Sequence, residues 1–245
     1  MTSPAVWQEV EFGSYGADLP VWVELAEQTG GPVAELGAGA GRVALHLARQ
    51  GHEVIAVERD LNLIRELEEA AKPRGVSLSV VAADLASPAE VQLPVNPALA
   101  IGPLHLIQVL DDRARPALLT RLRDLMAPGG TLALTVVDES TLLSSGAAST
   151  QILPDMREVD GWVFSSEPLW VQVGDRSLTV RRLRETVSPE GGMERAVHDE
   201  ILRRVSPDEL EREAADAGFR ATGRRQISSG EDEADSTLVV MEAPQ

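Results

Sequence analysis

The run Glu35-Leu36-Gly37-Ala38-Gly39-Ala40-Gly41-Arg42 constrains this chain most, because it stands between a short apolar strand (Pro32 to Leu36) and an amphipathic helix (Arg42 to Gln50). Glycine at alternate positions lets a backbone turn sharply and approach a ligand without side-chain obstruction. The helix that follows points its positive end at that ligand. A dinucleotide fingerprint requires Gly-x-Gly-x-x-Gly, with Gly or Ala at position 42. Arg42 stands there, and the third glycine comes one residue early. The turn argues for a ligand without a pyrophosphate, which disfavours a nicotinamide-dependent oxidoreductase.

The surrounding rhythm is that of βαβ units. His52 to Val57 reads as a second strand, Asp60 caps a helix over Leu61 to Ala71, and Ser77 to Ala82 reads as a third strand. Strands over Ala98 to Gly102 and Thr131 to Val137 bracket a helix that starts at Asp111 or Asp112 and runs through Leu125. The rhythm breaks from Gly161 to Val205, where turns at Gly174-Asp175-Arg176-Ser177 and Ser188 to Gly192 separate antiparallel strands. It resumes with a helix opened by Ser206-Pro207 and two last strands, Phe219 to Ile227 and Ser236 to Met241. The expected organisation is an N-terminal segment over 1–29, a core over 30–140, an antiparallel insertion over 141–205, and a return to the core over 206–245.

Composition limits the partners. The net charge is −17, which repels phosphate backbones, so neither nucleic acid nor an anionic membrane is expected. No cysteine is present, so there is no thiolate metal site and no Cys nucleophile; no metal is expected. No apolar stretch is long enough to cross a bilayer and no secretory signal is visible, so a cytoplasmic protein is expected.

Two carboxylates fall in register with the glycine turn. Glu58, at the end of the second strand, is placed to accept bonds from both hydroxyls of a ribose, and Asp84, past the third strand, from the exocyclic amine of a base. Strand-end carboxylates also cap following helices, so each alone is ambiguous. Together they describe a nucleoside across the carboxyl ends of adjacent strands, the usual crevice of such sheets.

These residues resemble the class I S-adenosylmethionine-dependent methyltransferases. Glu35 to Gly41 is similar to their acidic-x-Gly-x-Gly-x-Gly motif, Glu58 to their second acidic position, and Ala83-Asp84-Leu85 to their adenine-binding motif. Ala127-Pro128-Gly129-Gly130-Thr131 and Ala217-Gly218-Phe219 resemble the turns before their fifth and sixth strands. The resemblance covers roughly 30–140 and 205–242. It implies an α/β fold, a Rossmann-like doubly wound seven-stranded sheet with an antiparallel β insertion, and S-adenosylmethionine as cofactor. It also implies that Gly37, Gly39 and Gly41 lie against the methionine part, that Glu35 orders the loop, and that Arg42 reaches the cofactor's carboxylate or else faces solvent. Glu58 would hold the ribose, Asp84 the adenine amine, and the Leu85 backbone N–H the adenine ring. The implied activity is methyl transfer to a small-molecule nitrogen or oxygen. The alternative is a catalytically silent S-adenosylmethionine-binding partner or sensor.

Ile101-Gly102-Pro103-Leu104-His105-Leu106-Ile107-Gln108 resembles the Pro-Phe-Asn-Ser-Leu-Gln-His of small-molecule members, with His105 where Asn is usual. His105 is therefore the candidate base, set against a loop histidine bonded to backbone. His198 is a weaker candidate, and His46 and His52 read as structural or exposed. Trp7 to Trp22 matches the place of a lid: Tyr15 is the candidate contact to methionine or acceptor, whereas Trp22 and Leu25 read as core. Arg181, Arg182, Arg184 and Arg195 in the insertion read as one side of weak surface pairs. The insertion is expected to serve the acceptor or to join a homodimer through its edge strands.

Overall fold

The computed structural model describes residues 4–137, 154–228 and 235–245. Two helices, α1 (Pro4–Phe12) and α2 (Leu19–Thr29), precede the first strand. Then follow β1 (Val33–Leu36), α3 (Arg42–Arg49), β2 (Val54–Glu58), α4 (Leu61–Ala71), β3 (Ser79–Ala82) and β4 (Leu99–Gly102). A single turn α5 (Leu106–Val109), which the sequence reading lacked, leads to α6 (Ala114–Leu125) and β5 (Thr131–Val136). Asp111 sets the start of α6, accepting from the N–H groups of Arg113 and Ala114 at 2.9 and 2.8 Å. After the inserted strands come α7 (Pro207–Ala217), β10 (Arg220–Ile227) and β11 (Ser236–Glu242). A full capping box at Ser206 and Glu209 opens α7, as Ser-Pro-x-Glu spacing allows.

The main sheet has seven strands in the order β10-β11-β5-β4-β1-β2-β3. All run parallel except β11, which pairs antiparallel with both β5 and β10. Alternation along the strands feeds two cores. Ala34, Leu36, Ile55, Val57 and Leu132 point to the side of α6 and α7. Val33, Val54, Ala56, Leu99 and Ala133 point to the side of α2, α3 and α4. Trp22 and Leu25 are buried in the second core, as the spacing predicts. Strand order reverses at β1, which has β2 on one side and β4 on the other, so a crevice opens beyond their carboxyl ends.

The inserted strands form a sheet of their own, β6 (Asp155–Val159), β7 (Trp162–Val173), β8 (Ser177–Val187) and β9 (Met193–Arg203), antiparallel throughout. The break at 140–141 expected from the sequence lies outside the described residues. Gln108, fully buried, holds the two sheets together. Its Nε2 donates to the carbonyls of Val137 and Arg203, and its Oε1 accepts from Val137 N–H at 2.8 Å. Among the described residues no helix is long and apolar enough to cross a membrane. No group of three or more His, Cys, Asp or Glu could hold a metal among them either.

Candidate functional site

A cavity of about 580 Å³ opens at the reversal point. Glu35 and Gly37 to Arg42 line it from β1 and its turn, Pro103, Leu104 and Leu106 from beyond β4, and α1 covers it with Gln8 and Glu9. Gly37 and Gly39 hold φ of 66° and 58°, the left-handed region that glycine adopts at no steric cost. A Cβ on Gly37 would stand 2.6 Å from Leu106 Cδ1, and one on Gly39 would stand 2.4 Å from Gln8 Oε1. The turn is therefore glycine for its conformation, with the flexible ends of Leu106 and Gln8 lying close over it.

Glu58 braces the turn from below. Its Oε2 accepts from Gly39 N–H at 2.9 Å, and its Oε1 accepts from the N–H groups of Arg59 and Asp60 at 2.8 and 2.9 Å. Asp84 follows β3 half-buried, with Oδ1 accepting from Ala86 N–H at 2.9 Å, and Leu85 beside it is buried. Glu58, Asp84 and Leu85 thus stand at neighbouring strand ends, beside the cavity rather than in its wall.

Arg42 does not face solvent: it lines the cavity, and two of its guanidinium nitrogens are already engaged. Its guanidinium is clamped by Asp18, with contacts of 2.7 and 2.6 Å, and donates to the Tyr15 carbonyl at 3.0 Å. Tyr15 presents its ring to the same guanidinium at 5.1 Å. Asp18 is almost wholly buried and also accepts from the Trp22 indole N–H at 2.8 Å. No spacing rule ties position 18 to position 42, so sequence reasoning missed this hub. The i, i+4 relation of Asp18 to Trp22 was its one visible trace.

Among the described residues, three buried side-chain atoms lack a hydrogen-bond partner: Glu35 Oε2, Arg42 Nε and His105 Nδ1. All belong to residues at this crevice. Burial pushes the Glu35 carboxyl up to about 8, against the pull of the Arg42 charge. Burial also pushes the His105 imidazole down to about 4, with the Asp18 charge opposing, so His105 is neutral at physiological pH. His105 and Leu104 hold φ of 59° and 50°, a left-handed pair unusual for residues with a Cβ. Thr135 fixes that turn, accepting from His105 N–H at 3.1 Å and donating to the Gly102 carbonyl at 3.2 Å. Leu104 and Leu106 reach the cavity wall, and neither His105 nor Tyr15 lines it. His46 lines the far end with Arg49.

Helix α1 joins the two sheets. Gln8 Oε1 accepts from Ala40 N–H at 3.0 Å on the glycine turn. On the other side, Trp7 meets Phe164 edge-on at 5.8 Å. Arg184 grips Glu11 through two bonds of 2.7 and 2.8 Å, with Arg182 and Ser166 alongside. Burial opposes ionisation of Glu11, but the bonds from Arg184 and Ser166 outweigh it and hold its carboxyl low. Two of the four insertion arginines are thus internal clamps. Arg181 with Asp199 and Arg195 with Glu185 form the surface pairs that the sequence suggested.

Residues 33–130 match the family model described as a methyltransferase domain. Over those residues the chain is similar to methyltransferase domains. Solved structures share its architecture. The sugar N-methyltransferase KedS8 from a Streptoalloteichus species superposes with a TM-score of 0.78 at 12% identity, covering 100% of this chain and 94% of that one. The CcbJ methyltransferase from Streptomyces caelestis superposes with a TM-score of 0.66 at 22% identity, covering 95% and 92%. The glycopeptide N-methyltransferase MtfA complexed with sinefungin superposes with a TM-score of 0.61 at 22% identity, covering 94% and 88%. Comparison with curated protein sequences gave no significant match. At these identities the likeness establishes the fold, and the methyltransferase assignment rests on the matched domain.

Proposed function

We propose that this methyltransferase takes its methyl group from S-adenosylmethionine and delivers it to a nitrogen or oxygen of a small molecule. The observation that carries the reading is the set of orphaned polar atoms around the glycine turn. Among the described residues, Glu35 Oε2 and Arg42 Nε are buried without partners, and both residues line the cavity where strand order reverses. A buried polar group without a partner is costly, so such a set marks a place where a polar ligand completes the bonding. The residues fit the cofactor: Gly37, Gly39 and Gly41 would give its methionine part room, and Glu35 would face its ammonium. Glu58 and Asp84 would serve the ribose and the adenine amine, with the Leu85 N–H against the ring. When bound, the cofactor supplies an electrophilic methyl on a sulfonium. The chain itself contributes placement, holding donor and acceptor in line in a cavity walled off by α1, and such positioning accounts for much of the rate in a displacement of this kind. Solved neighbours support the choice, since CalS10 was seen with S-adenosylmethionine and MtfA with S-adenosylhomocysteine.

Calorimetry on the purified chain tests this. S-adenosylhomocysteine is expected to bind and NAD is not; comparable affinity for NAD would sink the reading. In the same assay Glu58→Ala should weaken binding by about 1.5–3 kcal/mol, the scale of hydrogen bonds to a charged group. Because Glu58 also holds three backbone N–H groups of the turn, the variant should melt earlier as well.

We further propose that the protein is cytoplasmic and that it pairs as a homodimer through the inserted sheet. Val197 and Ile201 alternate with the clamp arginines' register, so they lie on the face turned from α1, and both are exposed. Light scattering should give twice the chain mass, and a one-chain mass refutes the dimer.

A further inference from the structure

Three residues of the inserted sheet reach the cavity: Arg157, Val159 and Glu200. The arginines on the α1 side of this sheet are all paired. Arg157 binds Glu9 at 2.6 Å, Arg184 binds Glu11, and Arg182 reaches Glu11 and Asp155. Glu200 makes no hydrogen bond and no ion pair among the described residues. It sits on β9 opposite Val180, on the face of Arg182 and His198, and it shares the cavity with Glu35, Leu104 and Leu106. Glu200 is partly buried, and a carboxylate so placed without a hydrogen-bonding partner is completed by a cation.

We propose that Glu200 is the acceptor-binding residue of this site, that it pairs with the ammonium of the acceptor, and that the acceptor is therefore an amine rather than an alcohol. This rests on the methyltransferase reading above. The amine arrives as its ammonium form and passes one proton to the Glu200 carboxylate. The freed lone pair then forms the new N–C bond as the C–S bond of the sulfonium breaks, and that electron pair stays on sulfur. The methylated amine leaves carrying one positive charge, and the proton on Glu200 returns to solvent. Burial raises the Glu200 carboxyl, and the charge of Glu11 adds to this while Arg182 and Arg184 oppose it, so the group is a stronger base than an exposed glutamate. His198, on the same strand and face, is pushed down by burial and by Arg184, which keeps it from adding a positive charge at neutral pH.

The test uses the full chain, amino sugars, and the same sugars with hydroxyl in place of the amine. With S-adenosylhomocysteine bound, calorimetry should show at least one amino sugar binding and its hydroxyl counterpart binding about tenfold or more weakly, the scale of a charge-assisted bond. Glu200→Gln should remove that preference and lower amine methylation by about 10²-fold, and Glu200→Asp should restore part of it. The amine-methylation rate of the wild type should climb with pH through the Glu200 titration, whereas that of Glu200→Gln should lack this limb. Unchanged S-adenosylhomocysteine affinity in the variant separates this proposal from the cofactor reading, which fails if that ligand does not bind or if NAD binds comparably. Transfer to the hydroxyl sugars alone, to none of the amines, or at an unaltered rate in Glu200→Gln overturns the proposal. So does a variant that loses S-adenosylmethionine but keeps S-adenosylhomocysteine, since Glu200 would then serve the sulfonium.

Discussion

Asp18→Ala should lower the stability of the chain by about 3–5 kcal/mol, because it removes one partner of a buried ion pair and leaves the other charge in place. Asp18 is 1% exposed and binds Arg42 through both carboxylate oxygens. The variant strands a guanidinium whose Nε already lacks a partner, and it takes away the acceptor of the Trp22 indole in the second core. For a domain of this size the loss corresponds to a fall in melting temperature of about 10 °C. The double variant Asp18→Ala/Arg42→Met should recover most of it, since both charges then leave together. Thermal melts of the wild type, Asp18→Ala, Arg42→Met and the double variant decide the matter. A single variant that melts with the wild type would show that the Asp18–Arg42 clamp contributes nothing.

That clamp also shows which parts of the molecule the sequence reveals. The parallel core is legible because each of its signals is local. Glycine spacing sets the turn after β1, apolar runs set the strands, and Ser206 with Glu209 sets the start of α7. The inserted strands are legible for the same reason, through polar turns at 174–177 and 188–192. Site residues on strand ends follow from register alone, and Glu35, Glu58 and Asp84 stand at the carboxyl edges of adjacent strands. What stays hidden depends on tertiary closure. Asp18 meets Arg42 across 24 positions, Gln8 meets Ala40 across 32, and Glu11 meets Arg184 across 173. A side chain's partner over such distances is set by how α1 and α2 fold back, and no periodicity encodes it. This is why solvent was one of the two surroundings that the sequence offered for Arg42, and why Arg182 and Arg184 read as half of surface pairs. His105 illustrates a third case: its position beyond β4 is local, but the left-handed turn that aims its ring depends on Thr135 from the next strand.

Glu35 should make the empty protein less stable as pH rises from about 5 to 8, contrary to the usual behaviour of a carboxylate. Its folded value lies near 8 because burial disfavours the ionised form, against 4.5 for an ordinary glutamate. The folded state therefore holds a proton that the unfolded state has released across this window. Stability from this group is complete below about 4.5 and is lost as pH climbs through 8, with a slope approaching 1.4 kcal/mol per pH unit. Glu35→Gln cannot titrate, so its melting curve should be flatter and should lie above the wild type at pH 8. Melts from pH 5 to 9 check this, and parallel curves for the two proteins would refute it. The same proton reports on the ligand. A cation seated against Glu35 Oε2, the carboxylate atom left without a partner, favours the ionised form. Cofactor binding at pH 7 should then release nearly one proton, seen as a binding enthalpy that changes with the ionisation enthalpy of the buffer. Glu35→Gln should release almost none at that pH. A binding enthalpy independent of buffer at pH 7 would mean that the ammonium does not meet Glu35.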